Sequence, residues 1–178
     1  TASSADVSTR RPGHRHYPVD GRGVVFSGAT RDVVATGLTR PHSPPLHGGR
    51  VWVDNSGYGE VGWIEDGRFQ PFARLPGWTR GLAFAKKVAF VGTSAVLPRF
   101  AGYAPGLEPR ACCCGVHVVD LRSGRTLGSV TWPAGNQIFA LQLVPLHVAD
   151  GLPFHTQARH AARQRLAYAF TRISGDAR

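Results

Sequence analysis

Gly37-Leu38-Thr39-Arg40 returns forty residues later as Gly77-Trp78-Thr79-Arg80. After each copy, at nearly the same distance, comes an apolar run: Val51-Trp52-Val53 and Val88-Ala89-Phe90-Val91. A period of about forty residues is that of one radial blade in a repeat protein. A unit of this size cannot bury its own apolar face and must stack on its neighbours, so the repeat bears on architecture before any motif is weighed.

Three hairpins fill the space around the repeated runs. Gly23-Val24-Val25-Phe26 turns through Ser27 to Asp32 into Val33-Val34-Ala35; Val61-Gly62-Trp63-Ile64 turns at Glu65-Asp66-Gly67 into Phe69 to Ala73; Val116 to Leu121 turns at Arg122-Ser123-Gly124 into Thr126 to Thr131. Each is an apolar, β-branched or aromatic run, a short polar turn with glycine, and a second run, which is the sequence signal of a hairpin. Val116-His117-Val118-Val119-Asp120-Leu121 shows no strict two-residue alternation, the pattern of a strand covered on both faces. Further strands are expected at Arg40 to Leu46, Val51 to Asp54, Arg80 to Ala85, Val88 to Gly92 and Gln137 to Val144.

The expectation is an all-β chain, a partial β-propeller of about two and a half four-stranded antiparallel blades. One blade runs over 37–75 and the next over 77–132, the latter enlarged by a Pro/Gly-rich excursion from Ala95 to Cys114. Residues 1–17 read as a polar, basic N-terminal segment and 18–145 as the repeat region. The basic tail, 146–178, carries Ala158, Ala161, Ala162, Leu166, Ala169 and Phe170 at helical spacing, which predicts a helix over 156–173. The sequence of 178 residues starts at Thr1 and has no methionine, and it is read as part of a longer protein. Open blade edges in such a piece invite self-association.

With 21 Lys and Arg against 11 Asp and Glu, the formal charge is +10, a field that attracts anions. The arginines are scattered through turns, and Trp52, Trp63, Phe69, Phe84 and Phe90 fall inside expected strands, where they serve packing better than base stacking. That argues against a nucleic-acid partner. No apolar run is long enough for a membrane helix, so a membrane role is not expected. The only cysteines, Cys112-Cys113-Cys114, are adjacent; no second ligand pair accompanies them for a metal, and geometry disfavours a disulfide within the triplet. They are read as reduced thiols of a cytoplasmic protein.

The candidate ligand residues are Arg40, His42, Asn55, Arg80 and Gln137. In Arg40-Pro41-His42-Ser43-Pro44 two prolines bracket an imidazole, and the residues before them are expected to be extended, holding His42 on a stiff rim. His42 serves either a ligand there or, bonded to a backbone carbonyl, a sheet edge closed by proline. Arginine at the same place in successive blades would gather guanidinium groups at one mouth and grip a carboxylate, phosphate or sulfate. The alternative is that Arg40 and Arg80 staple neighbouring blades by bonding strand-end carbonyls. Asp54-Asn55-Ser56-Gly57-Tyr58-Gly59-Glu60 has the composition of a tight turn; Asp54, Asn55 and Glu60 would also suit a divalent cation, but the matching turn Gly92-Thr93-Ser94 has no carboxylate. No cofactor or metal is therefore assigned. No nucleophile elbow or phosphate loop is present, and no catalytic residue is assigned.

These runs in order, from Val33 to Pro44, Gly49 to Glu60, Leu75 to Phe84, Phe90 to Ser94 and Cys114 to Gly124, resemble successive signatures of the bacterial family called domain of unknown function 4915, over roughly Pro18 to Pro145. The resemblance implies a propeller-like fold and a longer parent, and no established activity. Two functions are compatible with the residues. One is a non-catalytic binding module for an anionic or polar small molecule or a partner protein. The other is a metal-dependent hydrolase or lactonase laid out like gluconolactonase and strictosidine-synthase-like propellers, with Asn55 and a carboxylate holding the ion.

Overall fold

The computed structural model describes residues 2–3, 19–135 and 137–145. The chain divides into two compact units, 1–143 and 144–178. All described strands belong to the first; the helix expected over 156–173 and residues 4–18 lie outside the described residues.

Turn chemistry and β-branched runs produce twelve described strands in three antiparallel sheets. The first sheet joins β1 (Ala2–Ser3), β2 (Gly23–Phe26) and β3 (Val33–Leu38) in that order. Its first strand comes from the stretch read as a polar, basic N-terminal segment, with Ala2 opposite Val24 and Ser3 opposite Gly23. The second sheet has β6 (Arg50–Asn55), β7 (Glu60–Glu65) and β8 (Arg68–Arg74) side by side, and two short pieces, β4 (Pro41–His42) and β5 (Leu46–His47), share the other edge of β6. The third sheet orders β9 (Trp78–Ala85), β10 (Val88–Ser94), β11 (Gly115–Asp120) and β12 (Thr126–Thr131) consecutively. All three expected hairpins form, as β2–β3, β7–β8 and β11–β12. Tight turns use left-handed residues where the strand twist demands them, among them Asp66 (φ 48°) between β7 and β8 and Lys86 (φ 52°) between β9 and β10.

The sheets stack through two apolar layers. Val53, with Ile64 and Phe69 beside it, meets Val25, Ala35 and Leu38 of the first sheet. From the opposite face, Trp52, Val61 and Leu75, flanked by Trp63 and Phe72, meet Leu82, Ala89, Val91 and Val119 of the third. The indole of Trp52 takes Trp63, Phe72 and Phe84 at centroid distances of 5.2 to 5.4 Å in tilted and edge geometries, the arrangement the ring quadrupole favours. Among the described residues only the second sheet is thus covered on both faces by sibling sheets.

Three local expectations are corrected. β11 alternates after all: Gly115, His117 and Val119 are buried while Val116, Val118 and Asp120 are half-buried. Only the side facing the second sheet is covered by described residues, and His117 occupies an inward position. The strand expected at Arg40 to Leu46 is broken, because Pro44 and Pro45 have no N–H for a ladder and Ser43 turns left-handed (φ 50°); Pro45 still accepts a hydrogen bond from Trp52 N–H at 3.0 Å. Residues 137–145 form no strand. Ile138 instead exchanges both its backbone bonds with a side chain, its N–H donating to Ser94 Oγ at 2.9 Å and its carbonyl accepting from it at 3.1 Å.

A recurrent clasp emerges from that last contact. Ser56, at the end of β6, donates to the carbonyl of Thr79 in the first strand of the next sheet (2.5 Å). Ser94, at the matching end of β10, does the same to Ile138. The segment 137–141 thus lies where a first strand of a further sheet would begin. It passes so close to Gly81 (φ 90°) that a Cβ there would sit 2.9 Å from Leu141 N.

Candidate functional site

The first strands of the second and third sheets start at the two Gly-x-Thr-Arg copies, which brings Arg40 and Arg80 to one side of the stack. Between them opens a cavity of about 330 Å³, walled by Arg40, His42, Arg80 and Gln137 and by the aromatic side chains of Trp78, Phe100 and Tyr103. Four of the five residues singled out by sequence therefore meet at one place. Asn55 does not join them. Its Oδ1 accepts from Thr39 N–H at 2.7 Å and its Nδ2 donates to Glu60 Oε2 at 2.8 Å, so it pins the backbone immediately before Arg40.

That pinning explains the backbone on either side of His42. Thr39 is held at both ends, its N–H by Asn55 and its carbonyl by Gly57 N–H at 2.9 Å, while its hydroxyl donates to Asp20 Oδ1 at 2.9 Å. To enter the pairing of Pro41 with Asn55, the chain turns through Arg40 with φ 53°. The extended conformation expected before each proline is thus replaced by a left-handed one at both Arg40 and Ser43. Non-glycine residues held there carry backbone strain, which persists only where surrounding contacts over-determine the conformation.

Among the described residues neither arginine staples strand ends: Arg40 and Arg80 make no bond to a strand-end carbonyl and no ion pair with a carboxylate. Arg40 lies over the ring of Tyr103 (4.3 Å to the centroid) and Arg80 over Phe139 (4.6 Å), stacking that leaves the guanidinium edges available. Arg40 Nε is buried without an acceptor, as is the indole Nε1 of Trp78. The inter-sheet clasp falls to Ser56 and Ser94, which the sequence reading passed over although they stand at matching repeat positions.

His42 is bonded to no carbonyl among the described residues. Burial first, then the charges of Arg80 and Arg40, lower its pKa to about 4. The imidazole is accordingly neutral at physiological pH, offering one N–H and one lone pair.

The Pro/Gly-rich excursion supplies the outer wall. Ala95, Leu97, Phe100 and Tyr103 line the cavity, with Phe100 and Tyr103 in a 3-10 turn, Pro98–Tyr103. The excursion is moored to the second sheet at Gly106, whose N–H donates to Gly57 O at 3.0 Å and whose carbonyl accepts from Arg74 Nη2. A Cβ at Gly106 would overlap the ring of Tyr58, so this docking requires glycine. Returning, the chain bonds Cys113 N–H to Pro76 O at 2.9 Å.

Three other polar groups are placed elsewhere. Asp54, register partner of His42 across β4 and β6, is fully buried (0% exposed). Neither of its oxygens meets hydrogen-bond geometry with a donor. Ser43 Oγ and Gly81 N–H lie nearby, but that N–H is spent on Ser43 Oγ at 2.9 Å. Burial outweighs these neighbours and raises the Asp54 pKa well above the ordinary carboxylate range. His117 bridges strands, its Nε2 lying 2.8 Å from Thr93 Oγ1 and its Nδ1 2.7 Å from Ser129 Oγ, and burial lowers its pKa. Burial raises the thiols of Cys112 and Cys114, which is opposite to what a reactive thiolate needs. Among the described residues no three His, Cys, Asp or Glu side chains gather as a metal site, and Asn55 and Glu60, weighed above as ion ligands, are bonded to each other.

Repeated antiparallel sheets carrying this cavity define an all-β repeat protein. The chain belongs to the family described as domain of unknown function DUF4915, whose profile matches residues 2–150, a longer span than the motifs alone suggest. No curated protein matches it. A solved structure, the crystal structure of the computationally designed Ika8 protein, is similar over 71% of this chain and 36% of that one, at 18% identity and a TM-score of 0.45. The chain thus spans about a third of the length of that protein. No helix among the described residues is long and apolar enough to cross a membrane.

Proposed function

We propose that this protein is a non-catalytic binding module of propeller type that takes a small anionic molecule at the cavity between Arg40 and Arg80. The observation carrying the reading is a pair of guanidinium groups, from equivalent repeat positions, on one cavity with no carboxylate among the described residues to neutralise them. Two like charges are tolerated together where an anion completes them, and arginine edges match carboxylate or phosphate oxygens two at a time. The volume lies at the small end of ligand cavities. At about 30 Å³ for each water-sized occupant, it holds a ligand on the order of ten non-hydrogen atoms. Trp78, Phe100 and Tyr103 suit an apolar body attached to the charged end. The blade reading is supported by the repeated Ser56 and Ser94 clasps. Three thiols with no disulfide among them fit a reducing, cytoplasmic setting.

Calorimetric titration with acetate and inorganic phosphate, followed by Arg40→Ala and Arg80→Ala, tests this. Loss of one charge-assisted contact is worth about 1.5 to 3 kcal/mol, so each variant should bind about tenfold more weakly or worse with little change in melting temperature. Unchanged affinity in both variants would remove the proposal.

A further inference from the structure

We propose that the anion is a hydroxylated carboxylate, a small hydroxy acid or sugar acid, with its carboxylate between Arg40 and Arg80 and a hydroxyl donating to His42. This rests on the anion-binding reading above and adds the requirement for a donor on the ligand.

Arginine can only donate, so Arg40 and Arg80 call for an acceptor and nothing more. His42 asks for something different. Its ring shares the cavity with both guanidiniums, and no described residue satisfies either nitrogen. In the neutral ring one nitrogen is a donor and the other an acceptor. A plain carboxylate can take the N–H but leaves the lone pair unmet, and an unmet polar group in a half-closed site costs binding free energy. A hydroxyl beside the carboxylate fills that place by donating to the ring. Protonation, which would make the ring a double donor, is opposed by burial and by the two cations. Pro41 and the left-handed Arg40 and Ser43 fix the backbone on both sides of His42, so its Cβ stays directed from a rigid strand. The aromatic wall offers flat faces to the C–H surface of a short carbon chain or sugar ring. At the same repeat position the third sheet carries Leu82, which is buried in the core. The imidazole therefore belongs to this cavity alone among the described repeats.

The test pairs hydroxylated acids with their plain counterparts: lactate against propanoate, which differ by one hydroxyl, and gluconate against hexanoate, which differ by five, titrated by calorimetry into the full chain. The expected result is a preference for the hydroxylated acid of at least about tenfold, as for sites that bond a ligand hydroxyl. In His42→Leu that preference should collapse toward one, the hydroxylated acid losing more affinity than its plain counterpart. Should His42→Leu not fold, the wild-type ratio decides by itself. Equal binding of the paired acids, a ratio indifferent to His42→Leu, or inorganic phosphate binding more tightly than either hydroxy acid would overturn the inference while leaving anion binding standing. If no anion binds, or if binding survives Arg40→Ala and Arg80→Ala together, the anion reading itself falls.

Discussion

The second and third sheets are copies of one pattern in different company. Trp52 and Phe90 occupy the same place in β6 and β10, yet Trp52 is only 6% exposed whereas Phe90 is half-buried. A third sheet lies on Trp52. Phe90, Val116 and Val118 face away from the second sheet, and Val130, opposite Val116, is 49% exposed. The same contrast appears at the polar ends. Where the second sheet closes β6 with Asp54 and Asn55, the third closes β10 with Gly92 and Thr93, and its buried polar group is His117. An apolar residue in a repeat is thus stabilising in proportion to the sheet that covers it, while the polar position is free to diverge once its hydrogen bonds are met locally.

The comparison can be broken by substitution. Trp52→Ala should cost about 3 to 5 kcal/mol, as for a large aromatic removed from a packed core, and Phe90→Ala only about 1 kcal/mol, roughly half the transfer value of a buried phenyl group. Urea denaturation measures both; equal losses would mean that Phe90 is covered as fully as Trp52.

Next in size is the pH response of Asp54. Its folded pKa is raised, so folding takes up a proton once the pH exceeds the unfolded value near 3.8. Stability is then full below that value and falls as pH rises toward the folded pKa, by up to about 1.4 kcal/mol per pH unit. Asp54→Asn should flatten this slope above the unfolded value near 3.8, and an unaltered slope in thermal melts would show that Asp54 is not its source. His42 and His117 act in the opposite sense. Their folded pKa values are depressed, so the stability they allow is present above about 6.5 and lost as pH falls, down to about 4 for His42.

The smallest effects test the clasps. Ser56→Ala leaves the Thr79 carbonyl without its buried partner and should cost about 1 to 2 kcal/mol. Ser94→Ala releases the partly exposed segment 137–141 and should cost about 0.5 to 1 kcal/mol. If Ser94→Ala proved the more damaging, that segment would be holding more of the third sheet than its contacts indicate.

Much of this was legible in the chain. The Gly-x-Thr-Arg copies and glycine turns place three hairpins within about three residues of their positions, because turn geometry and β-branched runs act locally. Arg40, His42, Arg80 and Gln137 could be named since matching repeat positions converge on one side of stacked sheets. Asn55 lies apart from the other four for a physical reason: the same carboxamide that suits a ligand also suits the N–H of Thr39, and sequence cannot say which lies nearer. Phe100 and Tyr103 were not foreseen as lining, because the excursion folds back across a sheet to which it has no sequence proximity; Trp78, two residues before Arg80, was also missed.

By itself, then, the sequence determined the period, the hairpins and the all-β class, all of which arise from interactions between neighbours along the chain. Only the tertiary structure decided that Arg40 turns left-handed, that Asp54 is sealed from water and that β11 hides one face and leaves the other half-open. Those outcomes depend on which surfaces meet across forty residues or more, and burial, strain and proton affinity are properties of the meeting rather than of either strand.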